Sequence, residues 1–319
     1  MLAAAVLAAA LLGITAACGG ASSAPPRPPS PPAANLPTPE TPSASEPPSD
    51  VLDARVDAGG IALHIHCEGA GTPAVVFDSG LGIDGSGWFG TEREVGLAAA
   101  RITRACAYDR AGRGQSDPPA SLPHSNRQMA RELFTLLQNA GEHGPFVLVG
   151  HSMGGTNVQL FLADHPDSVA GMVLLDASPD PPPIERAPPA EQVQFEDNLQ
   201  AFEGLDIPTL LGGFKELEAS GRSLGDKPLV VLAAGRVAEG LPNEMVAQAR
   251  AELHARQGSQ QRLTRLSSNS LLLVVEGAGH HIAHDAPAVV GRAVIAVVQA
   301  ARSGTRLDPA ALRPTPAGD

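Results

Sequence analysis

Apolar residues recur along this chain in short unbroken runs, and the stretches between them place apolar positions at helical spacing. "VLDARVDAGGIALHIHCEG" alternates apolar and polar positions on both sides of Gly59-Gly60, which predicts a hairpin with strands near 51–57 and 61–67. "PAVVFDSG" (73–80) reads as a short buried strand, and 86–100 as a helix. "ITRACAYDRAGRGQSD" gives a strand followed by a Gly-rich turn. In the segment 125–140, Met129, Leu133, Leu136 and Leu137 share one helical face. "PFVLVG" is the next buried strand and Met153 to His165 the helix after it. "VAGMVLLD", "KPLVVLAAG" and "LLLVVEGAG" are further buried strands, with a helix over 243–257 between the last two and "PAVVGRAVIAVVQAAR" as the closing helix.

Fully apolar strands that alternate with amphipathic helices predict an α/β fold, a mostly parallel sheet covered on both faces. One stretch breaks the alternation. Residues 177–227 are Pro-rich and weakly periodic, too long for an ordinary connection, and "EQVQFEDNLQAF" within them has helical character. A partly helical lid inserted after the sixth strand is the expectation, with the globular domain spanning 51–302.

The two ends differ from this domain. "MLAAAVLAAALLGITAACGG" is an uncharged run of small apolar residues, which predicts a signal peptide over 1–18. "TAAC" resembles a bacterial lipobox, so Cys18 is the expected lipidation site and a membrane anchor; cleavage without lipidation would leave a secreted protein. Both place the folded part outside the cytoplasm. Eleven of the chain's 30 prolines fall in residues 21–50, and the segment 19–50 reads as a stiff disordered tether. Extended, residues 21–50 would reach up to ~90 Å at ~3.1 Å per residue. The tail 303–319 is expected to fray. Net charge is −12, which argues against nucleic-acid binding, since that requires cations to displace phosphate counterions. The sequence leaves the oligomeric state open.

The chemistry gathers around "VLVGHSMGGTN" (147–157), where an apolar strand runs into Gly150, Ser152, Gly154 and Gly155 and then into a helix. A Gly-x-Ser-x-Gly alone is a weak signal, but between a strand and a helix it marks a tight bend that exposes the serine as a nucleophile. The helix start supplies N–H groups for developing negative charge. Such a serine needs a base, and "VVEGAGHHIAHDAP" supplies histidines just past the last strand. His280, directly after the Gly-x-Gly bend, is the first candidate; His281 and His284 follow. His280, His284 and Asp285 could also be read as metal ligands, but His-Glu-x-x-His spacing is absent, so no metal and no cofactor is expected.

"FDSGLG" (77–82), "YDRAGRGQSD" (108–117), "VLVGHSMGG" (147–155) and "GAGHHIAHDAP" (277–287) together resemble an α/β-hydrolase-fold serine hydrolase of esterase or lipase type. The resemblance covers Val51 to Arg302. It implies a small-molecule ester substrate, an acyl-enzyme on Ser152 and an orienting acid between nucleophile and histidine. Many members carry that acid after the strand equivalent to "PLVVLAAG", where this chain offers only Glu239. Pancreatic-type lipases take it from the preceding strand, and "VLLDASPD" supplies Asp176 there; Glu239 is the second choice and Asp180 the third. The resemblance further implies an oxyanion hole from the N–H groups of Met153 and Leu81, a supporting turn shaped by Asp109, Gly112 and Gly114, and neighbouring second and fourth strands that would bring Cys67 and Cys106 into a disulfide. Trp88 and Phe89 are either pocket or packing residues. A serine at the elbow speaks against the dehalogenases and epoxide hydrolases of this fold, which use Asp there. An acyltransferase, a peptidase or a non-catalytic binding protein remain alternatives.

Overall fold

A computed structural model describes residues 50–313, apart from 178–179, 182–183, 185–187 and 238–239. The leader, the tether and Cys18 lie outside the described residues, as does Glu239.

Among the described residues, eight strands form one sheet: β1 (Leu52–Asp57), β2 (Ala62–Glu68), β3 (Ala74–Asp78), β4 (Ala105–Tyr108), β5 (Phe146–His151), β6 (Val169–Leu175), β7 (Leu229–Ala234) and β8 (Ser270–Val275). Their spatial order is β1-β2-β4-β3-β5-β6-β7-β8. β2 pairs antiparallel with both β1 and β4, and the remaining pairs are parallel. β1 alternates half-buried and exposed positions, as an edge strand with one wet face should, whereas β3, β5 and β7 are buried throughout.

Helices cover both faces. Alternate residues of β3 illustrate the two layers: Val76 joins the core with α2 (Asn126–Asn139) and α3 (Met153–Asp164), whereas Val75 and Phe77 join the core with α1 (Arg93–Ala100) and α8 (Pro287–Ser303). α2 buries Met129, Leu133, Leu136 and Leu137, and Ser125 caps it by accepting the Gln128 N–H at 3.2 Å. α6 (Asn243–Leu263) and the short α7 (Ile282–Asp285) complete the order around the C-terminal edge.

The interruption after β6 is a helical lid. It contains α4 (Pro189–Glu203) and α5 (Ile207–Ala219), joined by a tight turn in which Gly204 takes φ 66° and Asp206 caps α5 through the Thr209 N–H. Phe195, Leu199, Leu205, Leu210 and Phe214 pack with Met129 and Met153, so the lid rests directly over the start of α3.

Two expectations change. The helix expected over 86–100 is divided into a 3-10 turn (Gly85–Phe89) and α1, because Gly90 ends the first piece and Gly96 lies where a Cβ would meet the Trp88 carbonyl at 2.2 Å. The tail expected to fray beyond Arg302 is instead docked to Arg313. Leu307 and Leu312 bury against the α8 face, and Asp308 caps a 3-10 turn over Pro309–Leu312. Those two leucines are few and far apart, which hides an amphipathic pattern from sequence, yet both are buried in the core.

Candidate active site

β5 stops at His151 and α3 begins at Met153, so Ser152 alone carries the reversal. Its backbone sits at φ 53°, ψ −117°, a region that an L-residue occupies only under constraint. Its N–H donates to the Leu175 carbonyl (3.0 Å) and its carbonyl accepts from the Gly155 N–H (3.0 Å). The bend is possible because its neighbours lack side chains. A Cβ on Gly150 would lie 2.7 Å from the Gly155 Cα, and one on Gly154 would lie 2.3 Å from the Asp78 carbonyl oxygen. The elbow is therefore pressed against both the α3 turn and the end of β3.

His280 follows β8 and points back over this bend. Its Nε2 lies 3.0 Å from Ser152 Oγ, and its Nδ1 lies 2.6 Å from Asp176 Oδ2. Because a carboxylate only accepts, Nδ1 carries the proton, and Nε2 is left as the acceptor for the serine hydroxyl. Asp176 directly follows β6 at φ 40°, with its N–H on the Leu232 carbonyl (2.8 Å) and its Oδ1 accepting from the Ala234 N–H (3.3 Å). Burial pushes its carboxyl up, but the hydrogen bond and charge of His280, with Arg256 beside them, outweigh it and hold the group well below the usual carboxylate range.

Arg256, on α6, was not among the sequence candidates. Its Nη1 donates to the same Asp176 oxygen at 2.8 Å and stands 3.1 Å from His280 Nδ1. Both nitrogens are donors, so they share Oδ2 as acceptor and do not bond to each other. No motif marks this residue, since it is one cation among many on a helix without a strong apolar face. His151 also gains a role. Its Nε2 donates to the His280 carbonyl (2.9 Å), which anchors the base from behind. Burial, with His280 and His281 nearby, lowers its pKa from 6.5 to about 3, so this ring stays neutral.

The N–H groups of Leu81 and Met153 are both free of protein acceptors among the described residues. Leu81 lies in the loop that leaves β3, and Met153 opens α3. Trp88 braces this loop: its indole N–H donates to Ser79 Oγ at 2.9 Å while its ring stacks on Phe77 at 4.6 Å. Phe89 packs edge-on to Phe77, so both aromatics have packing roles, and Phe89 also lines a cavity beside β2. Asp109 ties the supporting turn, accepting the N–H groups of Gly85 (2.8 Å) and Gln115 (2.9 Å); a Cβ on Gly114 would strike its carboxylate at 2.1 Å.

The other candidates lie elsewhere. His281 is half-buried just before α7, and His284 is exposed beside Asp285. His280, with its two ring nitrogens on Asp176 and Ser152, does not form a ligand set with them. Asp180 pairs at the surface with Arg262 and with Ser259 (2.8 Å). Cys67 and Cys106 face each other across β2 and β4 and form a disulfide. A cavity of about 230 Å³ beside β2, lined by His64, His66 and Asp53 among others, contains none of the three residues at the elbow.

Residues 73–219 match the family model described as alpha/beta hydrolase fold. The chain is 28% identical over 236 residues to an uncharacterised Bacillus subtilis protein, YqjL, spanning 74% of this chain and 87% of that one. It is 33% identical over 127 residues to a Burkholderia fluoroacetate dehalogenase, covering 39% of this chain and 40% of that one. Among solved structures it resembles a 2-hydroxy-6-oxo-6-phenylhexa-2,4-dienoate hydrolase from Rhodococcus, with a TM-score of 0.56 at 17% identity over 79% of this chain and 99% of the other.

Proposed function

Starting from the α/β hydrolase fold that this chain has, we propose that it is a serine hydrolase acting on carboxylic esters of small molecules. The observation that carries this reading is the line Ser152 Oγ to His280 Nε2 (3.0 Å) and His280 Nδ1 to Asp176 Oδ2 (2.6 Å) at a strained strand-to-helix bend.

Ser152 attacks the ester carbonyl while His280 Nε2 takes the hydroxyl proton. Asp176 holds the imidazole in the tautomer that leaves Nε2 open and stabilises the imidazolium that forms. The carbonyl oxygen becomes negative and is met by the N–H groups of Met153 and Leu81, the first of them at the positive end of α3. His280 then returns its proton to the departing alkoxide. Water, deprotonated by the same imidazole, attacks the acyl-enzyme; the acid leaves, and His280 returns the proton to Ser152 Oγ as the acyl–oxygen bond breaks. A serine hydroxyl at the elbow needs this base, whereas a carboxylate nucleophile would not, which separates the reading from the activity named for the Burkholderia relative.

Residue 18 as a lipid-bearing cysteine and residence outside the cytoplasm belong to the same proposal. They rest on the leader sequence, and the Cys67–Cys106 disulfide supports an oxidising compartment.

Turnover of a short-chain p-nitrophenyl ester, with an initial burst of nitrophenol equal to the enzyme present, tests the reaction. Ser152→Ala should abolish both phases. Retained turnover in that variant would point to another nucleophile.

A further inference from the structure

The loop that carries the Leu81 N–H is held by a buried ion cluster whose outermost member comes from the lid. Arg110 follows β4 in the turn that Asp109 ties, and its side chain is 2% exposed. All five of its donors are engaged. Nη1 donates to Asp78 Oδ1 (2.6 Å) and to the Ser79 carbonyl (2.7 Å). Nη2 donates to the Gly80 carbonyl (2.6 Å) and to Glu203 Oε1 (2.5 Å), and Nε donates to Glu203 Oε2 (3.1 Å). Glu203 is the last residue of α4, and its carboxylate, fully buried, also accepts the Gly82 N–H at 2.8 Å.

These bonds fall on either side of Leu81. The Gly80 carbonyl and the Leu81 N–H belong to one planar trans peptide and point in opposite directions. A guanidinium that fixes the carbonyl therefore fixes the aim of the N–H. One peptide further on, Glu203 fixes the Gly82 N–H, so the loop is pinned before and after the donor. Burying these charges is costly, and an apolar contact would hold the lid equally well. What the charged cluster adds is direction: a bidentate fork has one geometry, where a greasy contact has many.

We propose that Glu203 is a positioning residue for the oxyanion loop, so that the Leu81 N–H is aimed only when the α4 end of the lid is docked on Arg110. This rests on the serine-hydrolase reading above. When the lid lifts, Arg110 loses its bidentate partner and Gly82 loses its acceptor together, and the Gly80–Leu81 peptide is free to turn. Lid docking and the ability to hold a developing oxyanion are then one event.

The rate of Ser152 labelling by a fluorophosphonate, whose phosphoryl oxygen uses the same N–H groups, reads the effect in the full chain, alongside kcat and KM for the p-nitrophenyl ester. Glu203→Ala should slow labelling about 100-fold and lower kcat with little change in KM, the scale expected when a donor is misplaced by an ångström. Glu203→Gln keeps an acceptor for Gly82 but sets an amide N–H₂ against Arg110 Nε, and should slow labelling about ten-fold. Leu137→Ala, buried near the C-terminal end of α2 and outside the apolar cluster that holds α4 over Met153, lowers the melting temperature without touching the loop and should stay within about two-fold of wild type. Labelling of Glu203→Gln within two-fold of wild type would overturn the proposal even if Glu203→Ala does not fold. Equal slowing by Leu137→Ala would overturn it as well, by tracing the effect to general loss of stability. Failure of the wild-type chain to label would instead defeat the serine-hydrolase reading.

Discussion

His280 Nδ1 lies 2.6 Å from Oδ2 of Asp176, a carboxylate that leaves the sheet after its sixth strand and not its seventh. At that distance Asp176 can orient the imidazole. Asp176→Asn keeps the shape but can donate to Nδ1, which favours the tautomer with the proton on the wrong nitrogen. The variant should lose about four orders of magnitude in kcat, with KM nearly unchanged. Glu239→Gln should keep wild-type turnover. Steady-state kinetics of both variants check the assignment, and the reverse pattern would move the acid to residue 239.

Arg256 Nη1 donates to the same Asp176 oxygen that accepts from His280 Nδ1, at 2.8 Å. A charged donor there helps to fix the carboxylate that orients the imidazole. Arg256→Gln should therefore lower kcat about ten-fold with KM nearly unchanged, read by steady-state kinetics on the p-nitrophenyl ester. An unchanged kcat would show that the Ala234 N–H and His280 hold Asp176 in place without the guanidinium.

Acid should weaken the fold through His151. Its pKa is lowered from 6.5 to about 3, chiefly by burial. Between those values the unfolded chain binds a proton that the folded chain refuses, so stability falls as pH drops from 6.5 toward 3, by up to about 1.4 kcal/mol per pH unit. Asp176, depressed below its usual 3.8, adds to the loss in the same direction below that value. The stability difference between pH 7 and pH 5, measured by denaturant unfolding, should be smaller by about 2 kcal/mol in His151→Gln. Equal differences in the two proteins would contradict a neutral buried ring.

The Cys67–Cys106 bridge closes a loop with a sequence separation of 39. Breaking it frees the unfolded chain by about 4 kcal/mol on the loop-entropy estimate. Reduction should lower the denaturant midpoint, while kcat per folded molecule stays the same because neither cysteine lies at the elbow. Loss of activity without loss of stability would mean that the bridge shapes the site.

The parts of this site that could be read from the chain are those with local signatures. Ser152 sits between glycines where an apolar strand stops, and His280 follows a Gly-x-Gly bend after another strand. Asp176 could be read because it directly follows a buried run, even though the next strand end offers a rival in Glu239. The lid helix α4 showed its character in "EQVQFEDNLQAF". What escaped depends on distance in sequence. Arg110 and Glu203 are 93 residues apart, and each looks like an ordinary surface charge until the lid folds over the turn. Arg256 acquires its meaning only when α6 passes behind Asp176. The docked tail escaped for a related reason, since Leu307 and Leu312 are single anchors in a polar, Pro-containing segment.

The central claim is that Ser152 becomes a nucleophile because His280 takes its proton. Intact-mass analysis after treatment with a fluorophosphonate tests it most directly. One adduct per chain is predicted, mapped by peptide sequencing to Ser152 and formed at least a thousand-fold more slowly in His280→Ala. An adduct on another residue, or equally fast labelling without the imidazole, would contradict the account.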